Sequence, residues 1–196
     1  MEYDPTKQKI IQAALEVVAE KTISGTRMHL IAEAANMSTA TLHYHFKTKD
    51  DLLKEMLHYL IESFRESVKE MLSTVSNDLG EKIAHHFDIE KDIITNNKII
   101  GQLEMDFWVQ GQIDPEINDQ IQKMVYLWRL DIVEYITYHM PEQDPDRIET
   151  ISQIMLSMMI GALFQFLNTK ETYDLDRYFS DCQKMLGLFL SATLWV

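Results

Sequence analysis

Polar side chains suited to a nucleic-acid groove are concentrated between Thr26 and Asp51. The hydroxyls, imidazoles and phenol in this stretch can hydrogen-bond to phosphate oxygens or base edges, while its Lys and Arg residues add positive charge. Double-stranded DNA suits this combination because it presents phosphates and base edges side by side. The candidate DNA-contacting residues are Thr26, Arg27, His29, Ser38, Thr39, Ala40, Thr41, His43, Tyr44, Lys47 and Lys49.

These candidates divide into residues that position the protein and residues that distinguish bases. Lys47 and Lys49 lie beside the start of a following helix and suit phosphate. The methyl and hydroxyl groups of residues 39–41 can contact thymine methyls and several bases. The segment Thr39–His45 contains no Arg, Asn or Gln, so bidentate base reading is unavailable there. We therefore expect base discrimination to rely on Arg27 and on DNA shape.

A short helix from Thr39 to His45 must present the second half of this set. Ser38 is a suitable N-cap for it, and Leu42 and Phe46, four residues apart, form its inward face. Asn36 falls at the sharp turn before it, since Asn tolerates a left-handed backbone. The pattern predicts a helix-turn-helix motif at about residues 27–46.

Longer helices must support so small a unit, because it cannot bury its own apolar face. Thr26 is expected to cap the helix before the turn. Thr48–Asp51 resembles a capping box, and apolar residues at helical spacing then continue to about Ser73. The sequence thus predicts a DNA-binding domain over residues 1–47 and a larger domain over residues 48–196 that begins with this linking helix.

The rest of the chain lacks the alternation of β-strands and contains apolar residues at helical spacing. The predicted fold is all-α, with about nine helices. The first helix begins at Asp4-Pro5 and runs to about Lys21, and the later ones are expected over Leu79–Ile94, Lys98–Gln110, Asp114–His139, Asp146–Asn168 and Asp174–Thr193.

Residues 7–57 resemble the DNA-binding head of the tetracycline-repressor (TetR) family of transcriptional regulators. The resemblance is carried by Thr26-x4-Ile31-Ala32-x2-Ala35-Asn36-Met37-Ser38 and then by Thr41-Leu42-x3-Phe46-Lys47-x-Lys49-x2-Leu52-Leu53. The remainder is similar to the family mainly in its helical plan. Asn36 stands where the family usually has Gly. His43 stands where it usually has Tyr, at a phosphate-contacting position, and the donor strength of a histidine varies with pH.

The resemblance implies a dimeric repressor with about nine helices in each chain. The helix over residues 39–45 would enter the major groove of an operator. The last two helices, at about 146–168 and 174–193, would pair with those of a second copy as a four-helix bundle. A small molecule bound in the larger domain would release the DNA.

Aromatic and methionine side chains are frequent in the larger domain, where they suit an adaptable apolar pocket. Carboxylates at 104, 106, 131 and 134 lie among these aromatics, so a cationic ligand could be held by a carboxylate together with ring faces. The alternative is that the aromatics form the core and the carboxylates are solvated. The candidate ligand-binding residues are Leu103, Glu104, Phe107, Trp108, Met124, Trp128, Met155 and Met159.

The last two predicted helices are apolar on more than one side, which favours a homodimer over a purely internal core. Gly161 and Ala162 would allow close approach of another helix. The most apolar run, Ile154–Leu167, is shorter than a bilayer span and is interrupted by Ser157 and Gln165, so no membrane segment is predicted.

Composition narrows the remaining possibilities. The net charge of −13 falls entirely on residues 51–196, because residues 1–50 carry six Lys/Arg and six Asp/Glu. A single cysteine, Cys182, excludes an internal disulfide and fits a reducing cytoplasm. His85 and His86 are adjacent on a helix and point about 100° apart, so we expect solvated surface rather than a metal site. No nucleophile or acid–base pattern is present, and neither an enzyme activity nor a cofactor is predicted.

The sequence therefore predicts a cytoplasmic, ligand-responsive dimeric DNA-binding regulator, most consistent with a repressor released by a small apolar or cationic effector. An alternative is a helical DNA-binding regulator that is controlled by a protein partner. A third is a helical adaptor that binds no DNA.

Overall fold

The computed structural model describes residues 4–74, 78–96, 98–169 and 173–191. Over these residues the chain forms nine α-helices and no strand, which confirms the predicted all-α fold. The helices are α1 Pro5–Gly25, α2 Met28–Ala34, α3 Thr39–His45, α4 Lys49–Thr74, α5 Leu79–Asn96, α6 Lys98–Gly111, α7 Pro115–His139, α8 Pro145–Thr169 and α9 Leu175–Ser191. The last two residues of the predicted 174–193 helix lie outside the described part of the chain.

The described residues form two compact units. The head unit comprises the chain up to Phe64 together with Lys98–Met124, and the C-terminal unit comprises the rest. The units are not divided at residue 47, since α6 and the start of α7 belong with the first three helices. A functional division into residues 1–47 and 48–196 stays a prediction.

In the head unit, α1 packs against both α2 and α6, and α2 packs against α3. The side chains of Ile10, Ile11, Ile31 and Leu42 are fully buried there, and Phe107 of α6 is buried as well. The head therefore gains the apolar support that its short helices lack.

In the C-terminal unit, α5, α8 and α9 pack on one another. Phe87 stacks on Phe179 with ring centroids 5.2 Å apart. The Tyr135 hydroxyl donates to the sulfur of Met155 at 3.3 Å in the same core. Cys182 is buried in this unit.

Helix α8 is longer than the apolar run that the sequence emphasised. Its 25 residues are long and apolar enough to cross a membrane by length and composition alone. The length argument against a membrane span was therefore wrong for this helix. Here α8 lies against α5 and α9, and the core helix of a globular protein can have the same composition.

Candidate nucleic-acid interface

Helix α3 presents a polar face because its apolar residues are turned inward. Leu42 and Phe46 are buried, as predicted. The Ser38 hydroxyl caps the helix by accepting from the Thr41 amide at 3.0 Å and pairs with the Thr41 hydroxyl at 2.8 Å. On the opposite side, Tyr44 is 77% exposed. Thr39, Ala40, Thr41 and His43 share this exposure, so the helix has a continuous polar surface that fits a groove.

The turn before α3 fixes the angle at which this surface is presented. Asn36 has φ = 49°, in the left-handed region, and it is one of two non-glycine residues with positive φ in the described chain. The Met37 amide donates to the Ala32 carbonyl and the Asn36 amide donates to the Glu33 carbonyl, both at 2.9 Å. These bonds close the C-terminus of α2, so Asn36 does here what Gly commonly does at helix ends.

The start of α4 also forms as the sequence predicts. The Thr48 hydroxyl accepts from the Asp51 amide and the Asp51 carboxylate accepts from the Thr48 amide, each at 3.0 Å. This reciprocal capping leaves Lys47 exposed next to the helix N-terminus. The imidazole Nδ1 of His43 pairs with the Lys47 carbonyl at 3.1 Å, which orients the ring beside that lysine.

Two of the eleven candidate residues are placed differently from the expected surface. Thr26 is fully buried and its hydroxyl donates to the Thr22 carbonyl at 2.8 Å. The N-cap of α2 is Arg27, without a side-chain cap bond, so the prediction of a Thr26 cap was wrong. The Lys49 ammonium donates to the Ile23 carbonyl at 3.1 Å, so the backbone of α1 takes one of its three donors.

Arg27 and His29 are exposed, as expected. The Nη1 atom of Arg27 donates to the carbonyls of Ser24 and Thr26 at 2.8 and 2.9 Å. One edge of the guanidinium is therefore fixed to the backbone, while its other nitrogens can still face DNA. This arrangement aligns Arg27 at the entrance to α2 with little conformational freedom to lose on binding.

A kink at the end of α1 was not evident from the sequence. Thr22 has φ = 62° and ψ = 168°, outside the helical range. The Ile23 amide donates to the carboxylate of Asp106 on α6 at 2.9 Å. The sequence placed Asp106 among the carboxylates that might hold a cation, whereas the structure gives it a backbone donor. Neither Thr22 nor Asp106 belongs to a recognisable motif, since the bond from the Ile23 amide to Asp106 joins two helices far apart in the chain.

The candidate ligand-binding residues are distributed over the two units. In the head unit, Leu103, Phe107 and Met124 are buried. Burial raises the pKa of Glu104 to about 7, and the Trp108 indole partly opposes this by favouring the carboxylate. A carboxyl group of this kind changes charge near neutral pH and can receive a cationic or hydrogen-bonding ligand.

In the C-terminal unit, Trp128 is half-buried, whereas Met155 and Met159 are buried. Met155 accepts the Tyr135 hydroxyl, as described above, so this methionine belongs to the core packing. The core alternative is therefore favoured for Met155.

The histidine pair on α5 differs from expectation. His86 is buried, not solvated, and its ring lies 5.4 Å from that of Tyr135. Burial lowers the pKa of His86 to about 4, with a further contribution from the charge of His85. The prediction of solvated surface was wrong for this residue. In the described chain no group of three His, Cys, Asp or Glu residues is arranged to hold a metal.

A shallow groove of about 500 Å³ runs along α8 and reaches α9. Phe164 of α8 is 59% exposed, and Leu188 and Met185 of α9 are exposed as well. The groove is lined by Thr150, Gln153, Ile154, Ser157, Met158, Gly161, Gln165 and Tyr178. Nothing lies within 4 Å of the position that a Cβ of Gly161 would occupy, so the groove floor is open to another chain.

The chain is similar to known bacterial regulators. Residues 10–56 match the family model described as bacterial regulatory proteins, tetR family. The chain is 31% identical over 149 residues to the probable HTH-type transcriptional regulator YttP of Bacillus subtilis, covering 69% of this chain and 70% of that relative. It is 33% identical over 133 residues to the fatty acid metabolism regulator protein of the same organism, and this match covers just under two thirds of each protein, 65%.

The fold is shared with solved regulators. A putative transcriptional regulator from Saccharomonospora viridis, solved in complex with choline, superposes with a TM-score of 0.77 at 22% identity, covering 95% of this chain and 96% of that one. Three findings agree on the class of protein. They are the helix-turn-helix geometry, the family match over residues 10–56 and the relative aligned along more than two thirds of its length. The chain belongs to the tetR family of bacterial transcriptional regulators.

Proposed function

We propose that this chain is a cytoplasmic repressor that binds an operator as a homodimer and releases it when a small apolar or cationic effector binds. The observation that carries the proposal is the polar face of α3, with Thr39, His43 and Tyr44 exposed over a buried Leu42. A short helix with such a face, held by a left-handed turn, suits insertion into the major groove.

The first experiment selects bound DNA from a random pool with the purified protein. We expect an inverted repeat whose half-site centres lie about 34–36 Å apart, one turn of DNA, or a multiple of that spacing. Arg27→Ala should weaken binding and relax base preference, because the aligned guanidinium supplies the strongest donor near base edges. Unchanged affinity together with unchanged base preference would remove Arg27 from the proposal.

The homodimer is supported by the open groove on α8 and by the exposed apolar side chains of Phe164 and Leu188. A second copy that places the same surface against this one would cover both sets of apolar side chains, as in an isologous interface. Such a dimer presents two α3 helices, which compensates for a head whose first 50 residues carry no net charge.

The effector class is supported by two relatives and by the head unit itself. One relative is named for fatty acid metabolism and one solved neighbour holds choline. In this chain, apolar Leu103 and Phe107 occur with Glu104 and Trp108, a set that suits an apolar body or a cation held by a carboxylate and a ring. Titration of tryptophan fluorescence with acyl compounds and with quaternary amines tests both classes.

Control by a protein partner is the alternative for regulation. It is favoured if no compound in the panel changes fluorescence or DNA release while the protein still selects a defined operator. A helical adaptor without DNA binding is favoured if the random pool yields no selected sequence.

A further inference from the structure

The kink between α1 and α2 carries backbone strain. Thr22 has φ = 62° and ψ = 168°, a combination that is almost confined to glycine because Cβ meets the adjacent backbone. Threonine is an unfavourable residue for it, since its side chain branches at Cβ. Strain of this kind persists only where the surroundings hold it in place.

Two charged side chains from other helices bind the backbone of Ile23, the residue after Thr22. The dihedral angles of Thr22 turn the Ile23 amide out of the α1 hydrogen-bond ladder, and it donates to the Asp106 carboxylate at 2.9 Å. The Ile23 carbonyl accepts from the Lys49 ammonium at 3.1 Å and from the Thr26 amide at 3.3 Å. Both polar groups of one residue are therefore bound by charged partners, one on α6 and one on α4.

This position lies directly before the DNA-facing residues. Ile23 is itself buried. Three residues later, the buried Thr26 hydroxyl donates a hydrogen bond to the Thr22 carbonyl. Arg27 then begins α2 with its guanidinium on the carbonyls of Ser24 and Thr26. The direction of the kink thus sets where the Arg27 guanidinium is placed.

We propose that Asp106 and Lys49 are positioning residues for DNA recognition. They bind the amide and the carbonyl of Ile23, and this clamp holds the strained Thr22 kink that places Arg27. Lys49 then acts through its bond to the backbone of α1. Asp106 lies on α6, between Glu104 and Trp108, so the same clamp connects the proposed effector-binding helix with the head. The proposal rests on the proposed DNA-binding function.

The test compares Asp106→Ala, Asp106→Asn and Lys49→Met with the wild type on the DNA selected from the random pool. Asp106→Ala should weaken binding about tenfold, since a hydrogen bond to a charged group is lost. Asp106→Asn keeps an oxygen acceptor and should stay within about threefold of the wild type. The matched control is Asp119→Ala, which removes one negative charge from an exposed position of α7 in the same unit.

The salt dependence of DNA affinity distinguishes a Lys49 that clamps the backbone from a Lys49 that contacts phosphate. A clamp residue lowers affinity without changing the slope of log affinity against log salt, whereas loss of a phosphate contact reduces that slope by about one. Lys49→Met with a reduced slope overturns the assignment. If Asp106→Ala and Asp106→Asn lose equal DNA affinity, or if neither loses any, the role of the carboxylate as acceptor is overturned.

Hydrogen exchange of the Ile23 amide tests the clamp without DNA. Exchange should become about tenfold faster in Asp106→Ala and stay unchanged in Asp119→Ala. Unchanged exchange in Asp106→Ala overturns the clamp, even if no DNA is selected. If Asp106→Ala does not fold, the Thr22→Gly/Asp106→Ala double variant replaces it, because glycine adopts the kink without strain. Recovery of folding supports the proposal, and failure to recover overturns it.

Discussion

Exposed side chains differ in kind between two helical surfaces, that of α3 in the head unit and that of α8 and α9 in the C-terminal unit. On α3 of the head unit they are Thr39, His43 and Tyr44, whereas on α8 and α9 of the C-terminal unit they include Phe164 and Leu188. The head surface can remain in water until DNA arrives, because its polar groups are solvated without a partner. The α8–α9 surface leaves apolar area in contact with water, which is unfavourable in an isolated chain. This difference is what the proposed roles require, a reversible contact with DNA at α3 and a lasting contact with a second copy at α8 and α9.

The largest effect is expected from removing the support under the polar face of α3. Leu42→Ala should lower the free energy of unfolding by about 2–5 kcal/mol, because Leu42 is fully buried and a cavity remains. Denaturant unfolding followed by circular dichroism measures this loss, and DNA binding should disappear with it. A loss below about 1 kcal/mol would mean that the head does not depend on this core contact.

The next effect concerns the α8–α9 surface. Phe164→Glu combined with Leu188→Glu should raise the dimer dissociation constant about 100-fold or more, because two unpaired charges would be buried in the proposed interface. Sedimentation equilibrium provides the measurement. Tyr138→Glu, at another exposed aromatic position on α7, is the matched control and should leave the dimer intact. Dimers that survive the double substitution would place the interface elsewhere.

Glu104 provides a pH-dependent test of the head unit. Its pKa is raised to about 7 by burial, so the folded state binds a proton more tightly than the unfolded state. The stability that this proton contributes is complete below the unfolded pKa and is lost as pH rises from about 4.5 through 7.

Glu104→Gln should therefore stabilise the protein at pH 8 by on the order of 1–3 kcal/mol, with little change at pH 4. Urea unfolding at both pH values measures the difference, and exposed Asp119→Asn should show no such dependence. The same gain at both pH values would mean that the carboxyl group is not the cause.

The smallest effect is expected at the outer surface of α3. Tyr44→Ala should change the free energy of unfolding by less than about 0.5 kcal/mol, because the phenol is mostly exposed. DNA affinity should nevertheless fall about tenfold if the hydroxyl donates to phosphate. Leu42→Ala should lower both stability and DNA affinity, whereas Tyr44→Ala should lower DNA affinity alone. Wild-type affinity in Tyr44→Ala would restrict the contact surface to residues nearer the start of α3.

Local patterns predicted the head well. The helix over Thr39–His45 forms with the predicted bounds, and both Ser38 and the pair Thr48–Asp51 cap their helices as expected. These features depend on hydrogen bonds between residues two to four positions apart, so their spacing in the sequence is sufficient to specify them. The same holds for Asn36, whose left-handed conformation is a property of that residue type.

Contacts between distant segments could not be predicted in this way. Lys49 resembles a phosphate anchor in sequence, yet it binds the Ile23 carbonyl, and Asp106 binds the Ile23 amide across 83 positions. His86 is adjacent to His85 on α5, yet it is buried against Tyr135. In each case the deciding factor is which other helix lies nearby, and helical periodicity carries no information about that.

The sequence by itself thus determined the helices, the caps at Ser38 and Thr48 and the polar face of α3, because each depends on short-range hydrogen bonding and on periodic burial of apolar residues. Only the tertiary structure decided that Thr26 is buried, that Asp106 binds the Ile23 amide and that Phe164, Met185 and Leu188 stay exposed on α8 and α9. Those outcomes depend on the packing of helices far apart in the chain, where charged side chains such as those of Lys49 and Asp106 bond to backbone groups that the helices leave unpaired.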